Sequence, residues 1–166
     1  MRWKSESDEK GKRGRNMERG TMRLRMGVAD THYAGNLVAG ARIIELMDDA
    51  GTELPIMVGG DEGLLACWKH VEQYVPVYLG DYLEIKTWVS RWGNTSFDWE
   101  AEVYKVCELV DKSGKSSACN IIEPPVLVAK GSYVGVIPKE LNRGFQVPKE
   151  EIPFMPHNGE NWWEKK

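Results

Sequence analysis

The stretch Leu37-Val38-Ala39-Gly40-Ala41-Arg42-Ile43-Ile44-Glu45-Leu46-Met47-Asp48-Asp49 decides the fold. At about 100° per residue, Leu37, Gly40, Ala41, Ile44 and Met47 share one broad apolar face. Val38, Arg42, Glu45 and Asp49 form a narrow opposite stripe, with Arg42 and Glu45 spaced to pair at i,i+3. A helix this apolar is expected to be wrapped on nearly all sides. Asn36 is its expected N-cap and Ala50-Gly51 its expected end. Asp48 falls at the edge of the apolar face, where a carboxylate must be paired, hydrogen-bonded or neutral. Its place in the last turn predicts that it frays outward or caps a neighbour.

Strand patterns lie on both sides of the helix. Before it, Met22, Leu24, Met26 and Val28 alternate with Arg23, Arg25 and Gly27, as a half-buried strand does. After Thr52–Val58 and the turn Gly59-Gly60-Asp61-Glu62-Gly63, a first strand is predicted over Leu64–Val75. Leu83, Ile85 and Val89 then alternate with polar and aromatic residues. Gly93-Asn94 is a hairpin signal. Phe97, Trp99, Ala101 and Val103 alternate with Asp98, Glu100, Glu102 and Tyr104, which predicts one apolar and one wet face. A loop is expected over Asp111–Ser117, and two last strands over Val126–Ala129 and Tyr133–Ile137. One buried helix with a run of antiparallel strands makes an α+β fold, a single long central helix wrapped by an antiparallel sheet. Its edge strands are left free for pairing with a second copy.

Composition sets the limits. The chain has 166 residues, 42% hydrophobic and 28% charged, enough for one domain with a core. Lys+Arg minus Asp+Glu is 22 − 25 = −3, which argues against an electrostatic grip on nucleic acid. No apolar run approaches the ~20 residues that span a bilayer, and Met1–Arg19 has no signal-peptide stretch. Cys67, Cys107 and Cys119 lack metal spacing, and an odd number cannot all pair, so a cytoplasmic protein with reduced thiols is expected. Residues 1–20 hold seven Lys/Arg and four Asp/Glu and read as a flexible arm. Residues 21–143 form the predicted domain, and 144–166 a Pro-rich, aromatic tail. His70 has no second ligand at metal spacing and is expected to face solvent. The Gly59–Gly63 run resembles the signature of diguanylate cyclases, but the chain lacks their alternating helices and strands.

Two segments carry chemistry. Asp30-Thr31-His32-Tyr33-Ala34-Gly35-Asn36 precedes the helix, where unpaired N–H groups and the helix dipole favour a developing oxyanion. Asp30, His32 and Tyr33 are titratable groups beside that N-terminus. Glu123 stands before Pro124-Pro125 in an apolar run; two prolines would stiffen the backbone there and fix where the carboxylate points. A carboxylate on a rigid kink suits a general base.

The stretch Asp30–Arg42 resembles the hotdog-fold CoA-thioester proteins, most of all the ammonia lyases of 3-aminoacyl-CoA. Asp49–Leu54, Gly60–Leu64, Val75–Tyr82, Gly93–Ser96, Glu123-Pro124-Pro125 and Val136–Lys139 fit the same family, so the similarity spans about Met22–Arg143. Hotdog thioesterases share the Asp30-Thr31 start. Here the helix carboxylate Asp48 falls one residue later than theirs, and Ala39 replaces the first glycine of their pair. Both departures favour the lyase. The resemblance implies a thioester carbonyl held near Gly35, Asn36 and Leu37, with Glu123 taking the α-proton. It also implies Asp30 holding the departing ammonium, and His32 or Tyr33 managing its proton. Lys130, Lys139 and Arg143 are expected to meet the CoA phosphates. No metal, flavin or nicotinamide is implied; coenzyme A enters only as part of the substrate. Self-association as a homodimer, stacking into hexamers, is expected, with no nucleic-acid or membrane partner. The alternatives are an acyl-CoA thioesterase using Asp48, and a non-catalytic acyl-CoA-binding protein.

Overall fold

Alternation sets the sheet. In a computed structural model that describes residues 19–110, 117–156 and 161–164, β1 (Thr21–Arg25) runs antiparallel to β3 (Tyr82–Trp92), with Met22 opposite Ile85 and Leu24 opposite Leu83. With β4 (Ser96–Leu109), β5 (Cys119–Val136) and β2 (Leu64–Gln73), they make one five-stranded sheet in the order β1-β3-β4-β5-β2, with every pairing antiparallel. Leu83, Ile85 and Val89 of β3 and Phe97, Trp99, Ala101 and Val103 of β4 are buried, as period-2 alternation requires. Helix α1 (Gly40–Gly51) lies across β3 and β4, and the shorter α2 (Glu53–Gly59) follows it. The expected loop at 111–117 falls almost wholly outside the described residues, as does the arm up to residue 18.

The helix differs from its predicted form. It starts at Gly40 with Ala39 as N-cap, because the residues before it are committed elsewhere. Asn36 takes a left-handed φ of 62°, Leu37 bridges Tyr78, and the Val38 N–H donates to Val77 O at 2.9 Å. The buried stripe is Ile43, Leu46, Met47, Ala50 and Gly51, spaced i, i+3, i+4, i+7, i+8. Of the face expected to be wrapped, Met47 is buried, but Ile44 is half-buried and Ala41 exposed, so that face is covered only in part in the single chain. Gly51 does not stop the chain's helical course: Thr52 stays right-handed, and α2 runs on to a left-handed Gly60 with φ 66°. The glycine run expected as a plain turn thus begins as a helix cap.

The sheet holds two further corrections. The face of β4 expected to be wet buries Asp98 and Glu100. Asp98 is accommodated by Arg91, whose Nε and Nη2 donate at 2.7 and 2.9 Å, and by Lys69 at 2.7 Å. The two predicted last strands are one, since β5 runs on through residues 130–132; it also passes through Pro124 and Pro125 without ending. Its partners on β4 jump from Lys105 opposite Val126 to Cys107 opposite Ile121, so the prolines sit in a bulge where no ladder hydrogen bond is needed.

The C-terminal segment is extended yet attached. Phe154 bridges Val89 in parallel, the Met155 N–H donates to Val89 O at 3.0 Å, and Ile152 is buried. Phe145 and Phe154 both pack on Trp92. Arg19 and Gly20, assigned to the arm, also hold the domain: Arg19 pairs with Glu151 at 2.9 Å, and the Gly20 N–H donates to Glu53 at 2.9 Å.

Candidate active site

Asp30 closes a one-turn 3-10 segment, Val28–Asp30, and both its carboxylate oxygens are engaged. Oδ2 accepts from the Gly27 N–H at 2.6 Å and Oδ1 from Arg42 Nε at 2.8 Å. Its backbone oxygen accepts from the Ala39 N–H at 3.1 Å. Thr31 bridges Val38, and the His32 N–H donates to Leu37 O at 3.1 Å. The segment 31–38 is therefore a closed loop with its stem at the start of α1. At its tip Gly35 has φ 77°, and a β-carbon there would meet nothing within 4 Å, so conformation alone favours glycine. His32 and Tyr33 are exposed, their rings edge-to-face at 5.4 Å.

Two clefts flank this loop. One, of about 390 Å³, is lined by Tyr33, Leu37, Gly40, Ile43 and Gln73 and reaches the first turn of α1. The other, of about 550 Å³, is lined by Gly35, Asn36, Tyr78, Lys105 and Glu108; Val75 and Pro76 belong to both. Beneath the second lies a buried ion pair that sequence reasoning missed. Lys105 Nζ is 2.7 Å from Asp81 and donates to Pro76 O at 3.0 Å. Asp81 in turn accepts from the Tyr78 N–H at 2.9 Å, which pins the segment on which Leu37 leans. The turn Pro76-Val77-Tyr78-Leu79-Gly80-Asp81 was the available signal.

Glu123 is exposed within the β5 bulge, and its peptide bond to Pro124 is cis. Pairing with β2 ends at Ala129, so this part of β5 has one unpaired edge. The bulge and the loop lie toward the same end of the sheet: the Tyr74 N–H donates to Val128 O at 2.7 Å, and Lys105 ties β4 to Pro76. Among the described residues, no hydrogen bond or ion pair joins Glu123 to Asp30, His32 or Tyr33.

The basic residues are not gathered together. Lys130 is 2.7 Å from Glu102 and lies over the Trp162 ring at 5.8 Å. Lys139 and Arg143 are exposed, and the Arg143 N–H donates to Gly59 O at 2.7 Å, beside the C-terminal end of α2. The loop stands at the start of α1, whose 12 residues span about 18 Å at 1.5 Å per residue before α2 begins.

Asp48 is half-buried, not frayed; burial, and next the charge of Asp49, push its carboxyl above the usual range. Burial chiefly, with the charge of Asp48, pushes the Tyr133 phenol well above its ordinary value. His70, expected in solvent, is half-buried edge-on to Trp162 at 4.9 Å and stacked on Trp163 at 6.1 Å. Among the described residues, no group of three His, Cys, Asp or Glu side chains could hold a metal ion.

The family model of the thioesterase superfamily matches residues 35–108. Over 123 residues, 74% of this chain and 96% of the relative, the sequence is 41% identical to the 3-aminobutyryl-CoA ammonia lyase of Acetoanaerobium sticklandii. The chain belongs to the hotdog-fold 3-aminoacyl-CoA ammonia-lyase family. The β-alanyl-CoA:ammonia lyase of Clostridium propionicum superposes on this lyase-family chain with a TM-score of 0.73 at 38% identity, covering 76% of this chain and 90% of that one. A hexameric hotdog-fold thioesterase of Campylobacter jejuni, at 22% identity, has a TM-score of 0.59 and covers 82% of this chain and 96% of its own. That likeness extends to the fold alone.

Proposed function

We propose that this ammonia-lyase family member eliminates ammonia from a short 3-aminoacyl-CoA, with Glu123 as general base. The reaction is a reversible carbon–nitrogen lyase reaction giving the enoyl-CoA. The carrying observation is the 41% identity over nearly the whole length of a 3-aminobutyryl-CoA ammonia lyase.

In this reading the thioester carbonyl docks beside Gly35, Asn36 and Leu37, facing the N–H groups at the start of α1, whose dipole favours negative oxygen. Glu123 takes the α-proton, charge collects on the carbonyl oxygen as an enolate, and its return expels the β-ammonium. His32 or Tyr33, both exposed on the loop, handles the proton of the leaving amine. Asp30, with both oxygens engaged, serves the ammonium only through the loop that it holds. Coenzyme A is part of the substrate, with Lys130, Lys139 and Arg143 read as its phosphate contacts.

Self-association belongs to the same reading. Ala41, Ile44 and Asp48 form a helix stripe only partly covered by the single chain, and β2 has one unpaired edge with Leu64 and Leu65 exposed. A second copy pairing there makes a homodimer, and dimers stack into hexamers. Three free cysteines suit a reducing cytoplasm, and among the described residues no helix is long and apolar enough to cross a membrane.

A second reading, thioester hydrolysis, has one observation in its favour, the half-buried carboxylate of Asp48 on α1. Incubating the full chain with crotonyl-CoA and ammonium separates the two. Loss of enoyl absorbance without free thiol is expected; release of CoA thiol would establish hydrolysis instead. If neither occurs while CoA thioesters raise the melting temperature, the protein is a binder.

A further inference from the structure

We infer that Arg42 is a positioning residue for this reaction: by binding Asp30 it fixes loop 31–38 over the first turn of α1. The inference rests on the reading of that loop as the thioester site. Arg42 is the third residue of α1, where a cation opposes the helix dipole. Its guanidinium is compensated by Asp30 at 2.8 Å, Glu45 at 2.9 Å and, more distantly, Asp49 at 3.8 Å. Glu45 and Asp49 lie on the same helix, and such neighbours on a helix surface interact weakly. Asp30 is the partner that ties two elements together.

The pair stands at the foot of the loop. Asp30 also accepts from the Gly27 N–H, and its carbonyl takes the Ala39 N–H, the last donor before the helix. With Thr31 bridged to Val38, the loop rises from a stem whose base is this ion pair. The side chains of Arg42 and Asp30 are 27% and 16% exposed, so water competes with the pair less than at an open surface. Removing either partner leaves the loop bound to α1 by backbone hydrogen bonds alone. His32, Tyr33 and Gly35 then shift relative to the N–H groups of Gly40 and Ala41, and small misplacements of this kind are costly in rate.

The test compares Arg42→Gln, Asp30→Asn and the double variant by steady-state kinetics and by amide hydrogen exchange at Val38 and Ala39. Each single variant is expected to lose about tenfold or more in kcat with KM for the enoyl-CoA changed little. The double variant is expected to be no worse than the worse single, because one unit is broken either way. All three should lose protection at Ala39. Arg42→Lys, which keeps the charge without the planar Nε–H, should recover part of both losses. The inference is overturned if the losses multiply in the double variant, or if Arg42→Gln turns over normally while Asp30→Asn does not. Unchanged exchange at Ala39 in Arg42→Gln also overturns it. Because that last measurement needs no turnover, it stands even if the parent protein fails to eliminate ammonia.

Discussion

A β-carbon on Gly51 would overlap the hydroxyl oxygen of Tyr133 and lie 3.0 Å from the ring carbon that bears it. The last residue of α1 and the C-terminal part of β5 approach this closely because glycine has no side chain there. Tyr133 fills the space, fully buried, with its hydroxyl 3.4 Å from Met47 O and its ring against Trp68 and Trp99. Glycine to alanine ordinarily favours a helix. At this position the sign reverses. Gly51→Ala should cost about 1–3 kcal/mol in chemical denaturation, the range for overpacking a core. Adding Tyr133→Phe should recover part of it, because only the 3.0 Å contact remains. A Gly51→Ala protein as stable as the parent would contradict the packing.

Glu123→Gln removes the proposed base and leaves the bulge backbone unchanged. It should bind CoA thioester as the parent does while losing at least ~10²-fold in kcat. Near-normal turnover would remove Glu123 from the mechanism.

Asp48 carries a pH signature. Its folded carboxyl titrates above the unfolded value, because burial first and Asp49 second disfavour the charge. The stability linked to its protonated form is therefore complete below about pH 4 and lost as pH rises through the raised value. Asp48→Asn should melt above the parent at pH 7, and the difference should vanish below about pH 4. An equal gap at both pH values would show that charge is not the cause.

Asp98 has the opposite sign. Burial works against its charge, but hydrogen bonds from Arg91 and Lys69 outweigh that and hold the carboxyl below the usual range. Its stabilisation is present above about pH 4 and fades as pH falls through the depressed value. Asp98→Asn should be less stable at pH 7 by roughly 1–2 kcal/mol. Denaturant titrations at pH 7 and about pH 3 check this: the gap should narrow at the lower pH.

Much of the fold is legible because burial has a period. Alternation at Leu83, Ile85 and Val89 and from Phe97 to Val103 marks the inward residues of β3 and β4, all of which are buried. The loop before the helix is legible through its composition, and its distinctive motif carries the family. The helix start is not, because Asn36 looks like a cap; its actual left-handed backbone is set by Leu37 and Val38 pairing with Val77 and Tyr78, far away in sequence. The arm boundary falls two residues late for a similar reason. Arg19 and Gly20 look like the rest of a charged segment, yet they are held by Glu151, Glu53 and Thr87.

The sequence by itself determined the alternation of the strands, a buried helix placed among them, and the residue types at the site, because each depends on near neighbours along the chain. Only the tertiary structure decided that Asp30 is spent on Arg42, that Lys105 and Asp81 are paired beneath the cleft, and that Asp98 and Glu100 are buried on the sheet's other face. Those outcomes depend on which distant groups share a desolvated space. The free energy of a charge there is set by its partners, not by its position in the chain.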